Sequence, residues 1–568
     1  MTAPYEAPLA LIRAAQEQAA RRLGFAPAAE HEEVLGDTSA AVLEGAARLA
    51  RDVLSPLNRS GDAQGAQLSA GGVIAARGFA EGWRRFCADG WPSLAAPAEW
   101  GGQGLPLLLA AATTEIWGGA NLAFAMLPET AVGAIEVLRV HGDEPLRSAY
   151  LPRLVSGEWP AAMSLTEPQA GSDLSTVRTL ARPEGDAWLL SGRKIFISWG
   201  EHDLAENIVH LVLARTPDAP PGVRGLSLFL VPRRLPHADG WIANDLRAVS
   251  LEHKMGIRAS PTCAMVLGEA GGARGWLIGA RHQGLACMFT VMNHMRIGVG
   301  LHSTGLAERA RQLAHGYAAE RRQGRDAHGA QRPIIEHADV RRMLLSMNVL
   351  THAARCLAYG AAAALDVAHG AGTQPHTRAR ALRRVGLLTP LVKAWASDTA
   401  VEVSSLGVQV HGGTGYVDDC EASQIYRDAR IGPVFEGTNF IQAQDLLGRK
   451  ILREEAGFAE LLEQMEQAAA ALPPGAPLQA PLRSECAALR AWVQQLRAAG
   501  TRQGEIVAAI AYPFLQWLGV VAGAWQWALA APELADQAEF YALHILPRAR
   551  AHAATVAAGS DIIGRARL

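Results

Sequence analysis

The chain has 568 residues, 49% of them hydrophobic and 19% charged, with a formal net charge of −2. That length calls for several domains, and that composition belongs to soluble globular proteins. No basic surplus exists to drive binding to phosphate backbones, which argues against nucleic acid as a main partner.

The first stretch, "MTAPYEAPLALIRAAQEQAARRLG", lacks the basic segment, apolar core and cleavage site of a secretory signal, so a cytoplasmic location is expected. Up to about Trp159 the pattern is helical. "LLLAAATTEIWGGANLAFAML" is long enough to read as a buried helix pair, not a strand, after the loop "PSLAAPAEWGGQGLP". From Trp159 to about Arg281 short β-branched and apolar runs take over, among them "AWLLSGRKIFISWG", "NIVHLVLART" and "GLSLFLVPRR". Gly, Pro or Asp bounds each run and no helix-length segment interrupts them. A compact antiparallel sheet or barrel is expected.

After Arg281 helices return. Leu306, Ala310, Leu313 and Tyr317 share one helical face, as do Val340, Met343, Met347 and Leu350 in the next segment. "HGAGTQPHTRARA" breaks that helix from one running through "LLTPLVKAWASDTAVEVSSLGVQV". A helical tail follows from about Leu452, interrupted by the proline-rich linker "LPPGAPLQAPLR". Within it, Ile506–Pro532 carries no Asp, Glu, Lys or Arg and reaches membrane-span length. Its alanine richness, Gln516, Gln526 and the lack of a flanking basic cluster favour a buried helix over membrane association. The expected fold class is α+β, divided into a helical domain (1–158), a β domain (159–281), a helical bundle (282–451) and an extra helical tail (452–568). The six cysteines, Cys87, Cys263, Cys287, Cys356, Cys420 and Cys486, lie far apart with no C-x-x-C pair. Free thiols in a reducing compartment and no metal site are expected.

Four stretches carry chemistry. "MSLTEPQAGSDLSTVRT" offers Gly171 for close backbone approach and hydroxyls at Thr166 and Ser172; an ordinary helix-to-sheet connection reads the same. "KIFIS" sends Phe196 and Ser198 to one face, where they could flank a flat ring, and Ile195 and Ile197 to the other, though a plain core strand looks alike. "NHMRIGVG" and "AERRQGR" open and close a helical stretch. Arg321, Arg322 and Arg325 there are either a solvated face or a grip on an anion. In "QVHGGTGYVDD…IYRDARIGPVFEGTN", the carboxylate Glu436 has no opposite charge beside it in the local sequence. It either caps the helix "TNFIQAQDLLGRK" or sits buried as a base of raised pKa. "GGTG" lacks the pattern of a nucleotide loop.

Together these stretches resemble the acyl-CoA dehydrogenases over about residues 30–450. "TEPQAGSD" matches the family's T-E-P-x-A-G-S-D, and "RDARIGPVFEGTN" its R-D-A-x-x-x-x-x-Y-E-G-T. The tail and "EHDLAENIVHLVLART" look most like the larger branch that includes 3-methylmercaptopropionyl-CoA dehydrogenases. The resemblance implies helical, β-barrel-like and four-helix domains. It also implies FAD, and oxidation of an acyl-CoA thioester to the trans-2-enoyl-CoA, as in fatty-acid β-oxidation. By match, Glu436 removes the α-proton while the flavin N5 accepts the β-hydride. Its own N–H helps polarise the thioester carbonyl, and Gly437 permits that approach.

The same match places Leu165, Thr166, Gly171 and Ser172 along the isoalloxazine and the CoA entrance. Phe196 and Ser198 lie beside the ring, where the family commonly has Trp and Thr. Arg321 corresponds to an arginine on the FAD pyrophosphate, and Gln409 and Gly413 to FAD contacts; the family draws all three from a neighbouring subunit. Thr438 is a further FAD contact, and Arg296 an active-site arginine near substrate. The sequence departs from the pattern after Arg321, where "RRQGR" puts Gln323 and Gly324 in place of Thr and Phe contacts. Asn293 stands where many members have Asp, and Phe440 where many have Gln. Some relatives carry the base beside Arg296, but Met295 cannot serve, which leaves Glu436. The expected partners are an acyl-CoA, an electron-transfer flavoprotein and a second copy in a homodimer. An O2-using oxidase and a DNA-protecting flavoprotein of the alkylation-response type are the alternatives.

Overall fold

The computed structural model describes residues 4–22, 34–238, 240–325, 328–370, 372–498, 503–530, 534–559 and 563. They form two compact units, one from Arg48–Pro106 and Ala120–Met295, the other from Met1–Ala47, Leu107–Gly119 and Arg296–Leu568.

The first unit is built on an eight-stranded sheet. Its strands are β1 (Ala161–Ser164), β2 (Leu180–Glu184), β3 (Ala187–Ser198), β4 (Val209–Arg215), β5 (Leu226–Pro232), β6 (Leu246–Leu251), β7 (Thr262–Leu267) and β8 (Ala273–Ile278). They run in the order β6-β7-β3-β8-β5-β4-β1, with β2 pairing to β3 and β4. Strands β4 and β5 are buried on both faces, which is why they read as unbroken apolar runs. Along β4, Val209, Leu211 and Leu213 enter one apolar cluster while Val212 and Ala214 enter a second, the two-residue period of a strand. The first cluster includes Ala131, Ala134, Val137 and Leu138 of helix α1 (Leu122–His141). Asn121 starts that helix by accepting from the Phe124 N–H at 3.1 Å, so the long uncharged run becomes two helices, Leu107–Ala120 and α1.

Two expectations need correction in this unit. The sheet is not wholly antiparallel. Strand β1 runs parallel to β4, and β2 touches β4 in parallel at Leu180↔Arg215, because β1 reaches β4 by way of other strands and not through a hairpin. The helical N-terminal region also contains a small hairpin, Gln67–Ser69 with Gly72–Ile74.

The second unit is helical. Helix α2 (Gly284–Glu320) begins in the first unit and enters the second at Arg296. Helices α3 (Ala338–His369), α4 (Pro375–Leu391), α5 (Ser397–His411) and α6 (Asn439–Gln444) follow. Leu306, Ala310, Leu313, Met343, Met347 and Leu350 are buried as their spacing requires, with Tyr317 and Val340 half-buried. A single π turn, Val392–Ala396, joins α4 to α5. Pro390, just upstream, has no N–H to give the helical ladder, and the helix widens after it.

The tail linker is shorter than the sequence suggests. The next helix already starts at Gln479 and keeps Pro481 in its first turn, where a missing N–H costs nothing. Helix α7 (Gln503–Ala528) carries the uncharged stretch, with Phe514, Leu518, Trp525 and Trp527 buried. It is the one helix among the described residues long and apolar enough to cross a membrane, yet two-thirds of its apolar window is covered by the protein itself. Ala531 and Pro532 lie outside the described residues.

Candidate active site

The loop 431–439 is a knot of short-range bonds. The Ile431 carbonyl accepts from the Val434 N–H at 2.8 Å, and the Pro433 carbonyl accepts from the Asn439 N–H at 3.0 Å. Between them Glu436 takes φ +54° and Gly437 φ +78°, two consecutive left-handed residues. For a glutamate this conformation costs on the order of 1–3 kcal/mol and survives only where the surroundings impose it. Glycine suits 437, where φ is +78° and a Cβ would crowd the Gln442 side-chain nitrogen at 2.9 Å.

Buried donors impose the strain. Gln442 Nε2 donates to the Glu436 carbonyl at 3.1 Å, and Lys393 Nζ donates to the Gly437 carbonyl at 2.7 Å and to Asn439 Oδ1 at 3.0 Å. Asn439 Nδ2 in turn donates to the Ala394 carbonyl and to Ser397 Oγ, each at 3.0 Å. With both carbonyls drawn into the scaffold, the Glu436 N–H has no hydrogen-bond partner among the described residues. A free donor beside a carboxylate is an arrangement that can polarise a carbonyl while the acid removes a proton next to it.

The helix-cap reading of Glu436 is overturned. Thr438 caps α6, its Oγ1 accepting from the Ile441 N–H at 3.3 Å, because it stands directly before the first helical residue. The Glu436 side chain is instead half-buried and makes no hydrogen bond among the described residues. Burial pushes its pKa up from the ordinary carboxylate value, and the positive charges of Arg296 and Lys393 offset only part of that rise. Arg296 is 7% exposed and its Nη1 lies 3.7 Å from Asp445 Oδ2. Its Nε has no partner. Burial lowers the Arg296 pKa, opposed by Asp445 and Glu436.

Family profiles match residues 37–565 in four segments: "Acyl-CoA dehydrogenase, N-terminal domain" at 37–158, its middle domain at 162–270, its C-terminal domain at 282–451, and "Acetyl-CoA dehydrogenase C-terminal like" at 457–565. A 3-methylmercaptopropionyl-CoA dehydrogenase from Ruegeria pomeroyi is 44% identical over 547 residues, covering 94% of this chain and 92% of the relative. The chain belongs to the acyl-CoA dehydrogenase family. A butyryl-CoA dehydrogenase from Syntrophomonas wolfei is 37% identical, over 71% of this chain and 68% of its own. Caenorhabditis elegans ACDH-11 in complex with C11-CoA shares the fold at TM-score 0.79 and 21% identity, covering all of this chain and 96% of that one.

In the sheet unit of this acyl-CoA dehydrogenase, a buried ion pair positions the matched residues. Lys194 Nζ donates to Glu167 Oε1 at 2.8 Å, to the Leu165 carbonyl at 3.0 Å and to the Leu213 carbonyl at 2.8 Å. Thr179 Oγ1 and the N–H groups of Arg178 and Thr179 also donate to Glu167. Burial alone would raise the Glu167 pKa, but Lys194 and these donors outweigh it and hold the carboxyl well below the usual range. The Thr166 carbonyl accepts from the Ile195 N–H at 2.9 Å, which fixes the 165–166 backbone to β3. The expected strict alternation in "KIFIS" fails here. The register between β7 and β3 shifts between Cys263 and Met265, and Phe196 bulges out at φ +58° with 60% of its surface exposed. Ser198 is half-buried, and Gly171 and Ser172 are exposed with open space around Gly171.

The remaining matched residues lie at the surface of the helical unit. Arg321 and Gln323 are exposed, and Arg322–Arg325 form a hairpin with Gln331–Pro333 that ends the helical stretch. Gln409 and Gly413 are exposed at the C-terminal end of α5, with nothing within 4 Å of a Cβ at Gly413. No hydrogen bond or ion pair links these four to 431–439 among the described residues. Sequence reasoning missed Lys194, Glu167, Lys393, Asn439 and Gln442. A signal was available, because only four of the 53 basic residues are lysines (Lys194, Lys254, Lys393 and Lys450). Lys194 and Lys393 are wholly buried.

Proposed function

We propose that this acyl-CoA dehydrogenase converts an acyl-CoA thioester to the trans-2-enoyl-CoA, with Glu436 as the base. Its carboxylate takes the α-proton, and the electron pair left behind becomes the new carbon–carbon double bond. The Glu436 N–H, without a partner among the described residues, donates to the thioester oxygen and stabilises charge that develops there. By the family match, Arg296, Gly437 and Ser172 would contact the substrate. The observation that carries this reading is the half-buried carboxyl on a backbone strained into the left-handed region and tethered through both adjoining carbonyls.

The cofactor is FAD, and the residues fit it. A large exposed aromatic ring projects from a bulged strand beside the pinned 165–166 backbone, and Gly171 leaves open space next to it. Leu165, Thr166, Gly171, Ser172, Phe196, Ser198 and Thr438 would hold FAD in one subunit. The exposed Arg321, Gln323, Gln409 and Gly413 would hold it in the second copy of a homodimer. FAD, when bound, supplies the two-electron acceptor for the β-hydrogen. The electrons leave to an electron-transfer flavoprotein, in a cytoplasmic enzyme whose chain divides at 158/159, 281/282 and 451/452.

Glu436→Gln tests the reading. The variant should retain bound flavin and acyl-CoA binding, followed by spectral titration with a panel that includes 3-methylmercaptopropionyl-CoA and straight-chain thioesters, and should lose turnover. Near-wild-type turnover in that variant would remove Glu436 from its role. Hydrogen peroxide formed in step with product would replace the flavoprotein acceptor by O2.

A further inference from the structure

We propose that Lys393 is a positioning residue for Glu436: from the π turn it grips the Gly437 carbonyl and Asn439 and thereby fixes the orientation of the base. The proposal rests on Glu436 being that base.

Lys393 is fully buried in a run of apolar helix, where a charged side chain is costly unless it has a task. Its ammonium meets one carbonyl and one amide oxygen, both on the segment that follows Glu436. Nearly all other basic residues in the chain are arginines. A planar guanidinium cannot place one compact point charge between these two acceptors, which accounts for a lysine here. Without Lys393 on the Gly437 carbonyl, the neighbouring Glu436, strained at φ +54°, would relax toward negative φ, and its carboxyl would swing with it. A misplacement near 1 Å is enough to cost about 100-fold in rate.

The charges around the pair set a second consequence. Glu436 faces Arg296 and Lys393, and Asp445 and Arg449 stand behind Arg296. Lys393 faces Glu436, Asp398 and Arg296. Asp398 is already engaged by the Tyr512 hydroxyl at 2.8 Å and the Gln516 amide at 2.6 Å, both from α7. Burial lowers the Lys393 pKa to about 7, with Glu436 pulling it back up. In its charged form Lys393 keeps Glu436 more acidic than burial alone would.

The test uses the FAD-loaded enzyme. Lys393→Met should keep flavin content and acyl-CoA binding, while the rate of substrate-induced flavin bleaching falls about 100-fold. The acidic limb of its pH–rate profile should move to higher pH, because the cation that lowers the Glu436 pKa is gone. A merely structural lysine would lower the yield of folded enzyme but leave the bleaching rate of the folded fraction unchanged. Lys393→Arg retains the charge, so its limb should stay in place while its rate remains low. Wild-type rate and limb in Lys393→Met overturn the proposal; should that variant not accumulate as folded holoenzyme, the same result in Lys393→Arg overturns it. Glu436→Gln run in parallel separates the two readings. Activity there removes the base assignment, whereas inactivity there with an unaffected Lys393 variant removes only the positioning role.

Discussion

Gly519 of α7 lies against Trp395 of the π turn so closely that a Cβ at 519 has no room beside the indole. Gly523, one turn on, is likewise closed by the Tyr541 hydroxyl and the far edge of the same indole. The tail helix is therefore packed into the turn that carries Lys393. It is part of the scaffold beneath the base loop.

Gly519→Leu should overpack this contact and lower stability by about 1–3 kcal/mol, read as a drop in the chemical-denaturation midpoint. Gly519→Ala should do less in the same direction. An unchanged midpoint for the leucine variant would show that the tail does not bear on the turn in solution.

Glu436→Gln should also change stability with pH. Burial raises the carboxyl's folded-state pKa, so its stabilising contribution is present below the unfolded-state value and lost as pH rises through the folded one. At neutral pH the wild type holds a partly desolvated carboxylate that the variant lacks. The variant should therefore melt higher than wild type at pH 7–8, with the difference shrinking toward pH 4. A variant that melts lower at neutral pH would contradict a desolvated acid.

Glu167 has the opposite sign. Its depressed pKa contributes stability above the unfolded-state value that is lost as pH falls through the folded one. Lys194→Met leaves that carboxylate buried without its cation, and a loss of about 3–5 kcal/mol is expected by chemical denaturation. Glu167→Gln should remove the acid-limb loss that wild type shows. If Lys194→Met unfolds at the wild-type midpoint, the pair does not hold the 165–167 segment.

Much of this was legible in the chain. "TEPQAGSD" and "RDARIGPVFEGTN" pointed to the family, and period-two and helical spacings gave β4, β5, α2 and α3, because burial on a regular element leaves a regular trace. The devices that make Glu436 useful left none. Phe196 sits at a bulge, and one register shift erases the alternation that a sequence reading depends on. Lys393 comes within reach of Gly437, 44 positions away, only by folding, and a lysine in a helix reads by default as a solvated face. Glu436 cannot cap α6, because the capping position falls to Thr438, the residue one place before the helix, and only the fold fixes where the helix begins.

Phe196 offers a direct measure of strain kept for binding. At φ +58° the phenylalanine backbone costs on the order of 1–3 kcal/mol, and with 60% of the residue exposed its ring returns little by burial. Phe196→Gly removes that strain, so the apoprotein should be no less stable than wild type in chemical denaturation. FAD affinity, measured by fluorescence quenching, should fall up to about 10-fold with loss of an aromatic contact. Phe196→Ala keeps the strained backbone without the ring and should show the same loss of affinity with no gain in stability. If FAD binds both variants as tightly as wild type, the ring does not touch the flavin, and the bulge needs another explanation.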